Sequence, residues 1–301
     1  MPPELHELPA LPYTLYRGEA QLPDLPPPAR ENVRALITNG SHGAPRELIE
    51  CFPRLELIAS LGIGVDAIDF ACVRERGIRV TNTPGVIQDD VADLAMAMII
   101  DRLRNIRDAN AFLLRGDWLK GAFPVSRTVT GRRLGILGMG AIGQQIAARA
   151  AAFRMQVCWH GPRPKPQLDL PYVADLLDLA RRSEVLVVSC SGGPATHHLV
   201  NAGVLDALGP QGVLVNVARG SVVDSSALIA ALSAGRLGAA ALDVYEDEPR
   251  VPQGLLESDR VLLTPHLGSG TQETRRRMGE IVLASLADHF AGRTPANLVQ
   301  G

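Results

Sequence analysis

From Arg133 to Leu263, short apolar runs alternate with longer stretches of helical periodicity, and this alternation leaves few folds open. Strands are expected at Arg133–Leu137, Met155–His160, Val185–Cys190, Val213–Val217, Ala239–Val244 and Val261–Leu263. Helices are expected to begin near Ala141, Val173, Asn201 and Ser225. Strands separated by helices pair in parallel through right-handed crossovers, so this series predicts a doubly wound α/β sheet. The same alternation occurs earlier, with strands near Val33–Thr38, Leu57–Ala59 and Ile78–Thr81 and helices near Pro45–Phe52 and Ala67–Arg76. Gln88 to Arg115 reads as one long helix, capped by Asp89 or Asp90, with Val91, Leu94, Ala95, Met98 and Ile99 at helical spacing. A last helix is expected over Gln272–Phe290. The chain thus divides into an N-terminal domain, 1–97, and an inserted domain, 98–268, with 269–301 returning to complete the first. A length of 301 residues suits two cores.

Composition excludes several classes of partner. A formal net charge of −2 gives no long-range field for nucleic acid or an anionic membrane. Lys120 and Lys165 are the only lysines among 30 basic residues, and the arginines are scattered except for Arg275-Arg276-Arg277, which reads as a solvated helix face. The stretch Met1–Tyr16 has neither a basic nor an apolar leader pattern, and Val91–Ile100 is too short to span a bilayer. Cys51, Cys72, Cys158 and Cys190 have no paired spacing and read as small buried hydrophobes in a reducing compartment. No metal motif is present, and a cytoplasmic location is expected.

Between the first expected strand of the inserted domain and its helix lies Gly138-Met139-Gly140-Ala141-Ile142-Gly143. With 29 glycines in the chain, a Gly-x-Gly-x-x-Gly match arises by chance roughly 0.3 times, so the context carries the argument. An apolar strand enters and an Ala-rich helix leaves, as in a Rossmann dinucleotide site. Gly138 permits the tight turn, Gly140 lets the backbone approach a pyrophosphate, and Gly143 allows close helix–strand packing. The helix N-terminus supplies N–H donors and positive potential. A ligand-free βα turn is the alternative. The second strand ends in His160-Gly161-Pro162-Arg163-Pro164-Lys165, with no acid from Ala141 to Leu168 to hold a ribose 2′-hydroxyl. Arg163 and Lys165 instead favour NADP(H), with NAD(H) as the lesser cofactor; a solvated basic loop is the other reading.

Three further segments end the later strands: Asn216-Val217-Ala218-Arg219-Gly220, Leu242-Asp243-Val244-Tyr245-Glu246-Asp247-Glu248-Pro249 and Thr264-Pro265-His266-Leu267-Gly268-Ser269. Ligands bind at that edge of such sheets, so a cation, a carboxylate and an imidazole are expected there together. By spacing alone His266 is as easily a structural histidine, and Glu246, Asp247 and Glu248 a solvated acidic run.

With these segments in this order, the sequence resembles the D-2-hydroxyacid dehydrogenase family from about Ala29 to Val299. It is most similar to the hydroxypyruvate/glyoxylate and hydroxyphenylpyruvate reductases, through Asp89–Leu94, Gly116-Asp117-Trp118 and Gly268-Ser269-Gly270-Thr271. The resemblance implies two doubly wound parallel-sheet domains, a flavodoxin-like substrate domain and a Rossmann NAD(P)-binding domain. It implies reduction of a small 2-keto acid to a D-2-hydroxy acid. Of the three acids it selects Glu248, so that Arg219, Glu248 and His266 form the catalytic set. His266 would donate a proton to the keto oxygen, Glu248 would orient it and favour imidazolium, and Arg219 would grip the substrate carboxylate. Substrate contacts would also come from Leu61, Gly62, Ile63, Gly64 and Ser269. Cofactor contacts would include His160, Gly161, Cys190, Ser191, Val217, Ala218, Asp243, His266 and Gly268, with Asp243 and the Val217 carbonyl on the nicotinamide carboxamide. A homodimer through the Rossmann domain is implied, using parts of the long helix and of Arg115–Thr130 with Trp118 as an anchor.

The chain departs from the family in two places. Ser191-Gly192-Gly193 replaces a Pro-Leu-Thr segment, and the first strand of the substrate domain is reduced to Tyr13–Tyr16 or missing. The basic residue of NADP-preferring relatives also falls one position earlier, at Pro162. Two other roles share the scaffold. A formate dehydrogenase pairs its histidine with Gln where this chain has Glu248, and a nucleotide-sensing corepressor would carry binding tails that this sequence lacks.

Overall fold

The computed structural model describes residues 13–14 and 25–299. It divides into two compact units, Met1–Ile87 with Ser269–Gly301, and Gln88–Gly268. In the first unit a short helix α1 (Pro27–Arg30) precedes three strands, β1 (Ala35–Asn39), β2 (Leu57–Leu61) and β3 (Arg79–Thr81), which pair in parallel in that order. Every residue of β2 is buried, as a strand covered on both faces requires. Ile58 faces a layer containing Ile49 of α2 (Arg46–Glu50) and Cys72 and Val73 of α3 (Phe70–Glu75). Leu57, Ala59 and Leu61 face the opposite layer, which holds Met278, Val282 and Leu286 of the C-terminal helix Gln272–Phe290. Of the expected strand Tyr13–Tyr16 only Tyr13 and Thr14 are described; neither is in a strand, and Tyr13 packs its ring on Phe290 at 5.4 Å. The rest of that segment lies outside the described residues.

The second unit opens with α4 (Gln88–Arg104) and α5 (Ile106–Leu114). The single helix expected over Gln88–Arg115 is therefore two. Asn105 adopts φ 52°, a left-handed conformation that Asn tolerates better than most residues. Asp101 fixes the break: one oxygen accepts the backbone N–H of Arg107 at 2.8 Å and the other binds the buried Arg102 guanidinium at 2.6 Å. The unit boundary falls at 87/88 rather than 97/98. The start of α4 is tied to the second unit, where Asp89 and Asp93 both engage Arg149 of α6 (Ala141–Ala152).

Six parallel strands follow: β4 (Arg133–Leu137), β5 (Gln156–His160), β6 (Val185–Val188), β7 (Val213–Asn216), β8 (Ala239–Leu242) and β9 (Val261–Leu263). Their order is β5-β4-β6-β7-β8-β9. The crossovers carry α6, α7 (Leu176–Arg182), α8 (Ala202–Leu208), α9 (Ser225–Ser233) and the short α10 (Gln253–Leu256), and α11 is the Gln272–Phe290 helix of the first unit. Val185–Val188 and Val213–Asn216 are buried throughout. Leu186, Leu214 and Ala240 pack beneath Leu179, Leu205 and Leu228 of α7, α8 and α9. The chain reverses direction across the sheet between β4 and β6, which opens a crevice at their carboxyl ends.

Candidate active site

The glycine-rich turn occupies that reversal point. Gly138 has φ 98°, and a Cβ there would stand 2.5 Å from the Cys190 nitrogen in the loop after β6. A Cβ on Gly143 would collide with the Gly138 carbonyl. A Cβ on Gly140 would meet nothing within 4 Å, so this one glycine borders open space. No side chain caps the N-terminus of α6, which leaves its first-turn N–H groups at Ala141, Ile142 and Gly143 for an anion. Two crowded glycines flanking an open one fit a pyrophosphate cradle.

The edge of this turn carries the basic loop. The His160 ring donates through Nδ1 to the Val173 carbonyl at 2.9 Å, and Tyr172 donates to the Gly161 carbonyl at 3.0 Å. Lys165 folds back and donates to the Met139 carbonyl at 2.8 Å, placing an ammonium on the rim of the glycine turn. Arg163 is exposed and makes no hydrogen bond or ion pair among the described residues. In the loop after β6, burial pushes the Cys190 thiol up to about 11, which makes it an inert lining group. The Ser191 carbonyl accepts the Thr196 hydroxyl at 2.8 Å.

Arg219 stands after β7 in a turn built by Asn216. The buried Asn216 side chain accepts from the Ala218 N–H at 3.0 Å and donates to the Arg219 carbonyl at 2.9 Å. Gly220 lies so close to the Tyr245–Glu246 peptide that any Cβ would overlap it. The backbone beside Arg219 is thereby packed directly onto the loop that bears Glu248. Val217 and Ala218 are buried beneath this turn.

His266 follows β9 with φ 53°, a backbone conformation rare outside glycine. Its N–H donates to the Asp243 carbonyl at 2.9 Å. The buried Asp243 carboxylate accepts from the Thr264 hydroxyl at 2.6 Å and from the N–H groups of Leu267 and Gly268 at 2.7 and 2.9 Å. Burial pushes this carboxyl above its ordinary range, against those three bonds and the nearby His266. Asp243, expected as a nicotinamide contact, is the clasp that holds the strained histidine turn. Nδ1 of His266 lies 2.7 Å from Oε2 of Glu248, whose Oε1 accepts the Tyr245 N–H at 3.1 Å. Buried Tyr245 donates its hydroxyl to the Thr264 carbonyl at 2.8 Å, tying the glutamate loop to the histidine loop. A carboxylate fixed at one oxygen and engaged with an imidazole at the other can hold a ring in one orientation for proton transfer through Nε2.

The structure brings Arg219, Glu248, His266, Asp243, Gly268 and the glycine turn to the carboxyl edge of one sheet in the second unit, after strands β4, β7, β8 and β9. Leu61–Gly64 and Ser269 belong to the first unit. There the Gly62 N–H is already spent on the Thr83 hydroxyl at 2.8 Å, whereas Ile63 and Gly64 donate no backbone bond among the described residues. Sequence reasoning missed Asn216, Tyr245 and Thr264 as organisers. It also gave Glu246 no partner, whereas Glu246 accepts from Ser225 and pairs with His198. A polar residue ending an otherwise apolar strand, as in Leu214-Val215-Asn216 and Ala241-Leu242-Asp243, was the available signal. No cluster of potential metal ligands occurs among the described residues.

Comparison with known proteins matches residues 96–268 to the D-isomer specific 2-hydroxyacid dehydrogenase, NAD binding domain family. A hydroxyphenylpyruvate reductase of Plectranthus scutellarioides is 44% identical over 263 residues, 87% of this chain and 84% of that protein. A glyoxylate/hydroxypyruvate reductase of Arabidopsis thaliana is 44% identical over 265 residues, 88% of this chain and 85% of that protein. Among solved structures, an NADPH-dependent glyoxylate/hydroxypyruvate reductase from Sinorhizobium meliloti, crystallised with NADP and malonate, superposes with a TM-score of 0.87. It shares 38% identity and covers 92% of this chain and 87% of its own.

Proposed function

The chain belongs to the D-isomer specific 2-hydroxyacid dehydrogenases and is an oxidoreductase, and on that premise we propose that it uses NADPH to reduce glyoxylate, hydroxypyruvate or a related pyruvate to the D-2-hydroxy acid. When bound, the reduced nicotinamide supplies the hydride. Gly138–Gly143 and the first turn of α6 hold the pyrophosphate, and Arg163 and Lys165 take the 2′-phosphate. Arg219 binds the substrate carboxylate through its planar fork and polarises the keto group. In the first unit, the amides of Ile63 and Gly64 are proposed as substrate contacts. His266, held through Nδ1 by Glu248, gives the proton on Nε2 to the oxygen that becomes the hydroxyl. Glu248 keeps the ring aimed before and after the transfer.

The observation that carries this reading is the His266–Glu248 contact beside the Arg219 turn. His266→Gln tests it: turnover is expected to fall by about 10²–10⁴-fold with cofactor affinity nearly unchanged. Near-normal turnover would make His266 structural. A panel of keto acids assayed with NADPH and NADH identifies the substrate and ranks the cofactors.

We also assign a homodimer and a cytoplasmic place to the protein. Leu113, Leu114, Trp118, Leu119 and Val125 are exposed on α5 and the segment after it, Leu119 being 95% exposed. A second copy of the chain is the proposed cover. The cysteines are unpaired among the described residues, and no described helix is long and apolar enough to cross a membrane.

A further inference from the structure

The carboxyl edge of the second unit holds a second histidine–carboxylate pair. His198 Nε2 lies 2.9 Å from Oε2 of Glu246. The other oxygen of Glu246 accepts the Ser225 N–H at 2.8 Å in the first turn of α9. Burial pushes the Glu246 carboxyl up, but Ser225 and His198 outweigh it and hold the group below its ordinary range. His198 has a left-handed backbone, φ 49°, and donates its own N–H to the Ser221 carbonyl at 2.8 Å. Such a conformation in a residue with a bulky side chain persists only where its surroundings hold it.

The loop that ends at His198 starts at Ser189 and carries Cys190 and Ser191. Its near end is tied to the glycine turn, where the Ser189 hydroxyl donates to the Gly138 carbonyl at 2.7 Å. Its middle is Gly192-Gly193, with Gly193 at φ 125°, and two successive glycines contribute little order of their own. Thr196 closes the turn by donating its hydroxyl to the Ser191 carbonyl and its N–H to the Gly193 carbonyl, at 2.8 and 3.0 Å. The far end is held by backbone bonds from His198 to Ser221 and from Val200 to Val222, and among the described residues the His198–Glu246 contact is the side-chain tie from it to the loop after β8. That loop is the one whose Tyr245–Glu246 peptide abuts Gly220 and whose Tyr245 N–H holds Glu248.

We infer that His198 and Glu246 form a positioning brace, which fixes the Ser189–His198 loop for the part of the cofactor that NADPH and NADH share. This rests on the cofactor site proposed above. Its signature is a loss common to both cofactors, unlike a loss at the 2′-phosphate, and one that falls on affinity more than on turnover.

The test compares the wild type with His198→Ala, His198→Gln, Glu246→Gln and the double variant His198→Ala/Glu246→Gln. Glu246→Gln keeps an acceptor for Ser225. Binding of NADPH and NADH is read from their fluorescence, and kcat and KM for the keto acid are read at saturating cofactor. His198→Ala is expected to raise both Kd values by the same factor, about 2- to 5-fold, the range for a partly exposed pair. His198→Gln, whose amide still donates to Glu246, is expected to restore most of the affinity. The double variant is expected to be no worse than His198→Ala, because the pair acts as one unit. Unchanged Kd values in His198→Ala, a Gln variant that binds no better than Ala, or additive losses in the double variant would overturn the brace. Failure of the wild type to bind either cofactor would instead overturn the site on which the inference rests.

Discussion

His266 and Glu248, eighteen residues apart in sequence, meet at 2.7 Å between Nδ1 and Oε2. The contact fixes the orientation of the ring proposed to hand a proton to the keto oxygen. Glu248→Gln keeps the shape and removes the charge. Turnover of the keto acid is expected to fall by about 10-fold or more in this variant, with cofactor affinity nearly unchanged, measured as kcat and cofactor Kd. An unchanged kcat would mean that the glutamate does not act through the histidine.

Lys165 and Arg163 are two residues apart but differently disposed. Lys165 is already bonded to the Met139 carbonyl, whereas Arg163 stands exposed. If Arg163 meets the 2′-phosphate by a charge-assisted hydrogen bond, Arg163→Ala weakens NADPH binding by roughly 10- to 150-fold and leaves NADH nearly untouched. Lys165→Ala is expected to loosen the basic loop from the glycine turn and to weaken both cofactors. Equal losses in Arg163→Ala, or a wild type that prefers NADH, would refute the NADPH assignment.

The exposed apolar residues from Leu113 to Val125 predict self-association. Light scattering at micromolar concentration is expected to give the mass of a dimer for the wild type. Leu114→Asp/Leu119→Asp should shift it to a monomer, because both side chains project from the second unit and burying two carboxylates against an apolar partner is costly. A monomeric wild type would remove the dimer from the proposal.

Acid stability is expected to depend on Glu184. Burial pushes this carboxyl up, but the Arg133 N–H at 3.2 Å and the Arg132 guanidinium at 2.5 Å outweigh it and hold the group below its ordinary range. A lowered folded-state value means that the stabilisation is complete above the unfolded carboxylate range and is lost as pH falls through the lowered value. Glu184→Gln should therefore cost about 1 kcal/mol near neutral pH, with the gap to wild type closing below about pH 4. Chemical denaturation of both proteins at several pH values reads this difference; a gap that is constant with pH contradicts it.

The sheet of the second unit was legible because period and punctuation agree there. Each apolar run is a strand, and Gln272–Phe290 begins and ends as a helix where its spacing indicates. The break at Asn105 was not legible, since Asn is acceptable within a helix and the break is fixed by the Asp101 carboxylate reaching the Arg107 N–H. The motif residues Arg219, Glu248 and His266 were found through their order along the chain, while their supports were not. Asp243 shows why: a strand-end carboxylate looks like a ligand group, and only the folded turn reveals that both its oxygens face the histidine loop. The pairing of Glu246 was not legible because its partner, His198, is 48 positions away and unremarkable in sequence.

The missing side chain at Gly220 also sets terms for altering this protein. Arg219 can be exchanged, but the backbone of the next residue is pressed onto the Tyr245–Glu246 peptide, so under the proposed role of Arg219 the carboxylate end of the site has no slack to be re-aimed. Redesign of the preferred keto acid must therefore work around a fixed anchor and change what faces the other end of the molecule. Exposed Arg163 makes no hydrogen bond or ion pair among the described residues, so under its proposed role the choice of cofactor can be altered there while the packed turns stay put.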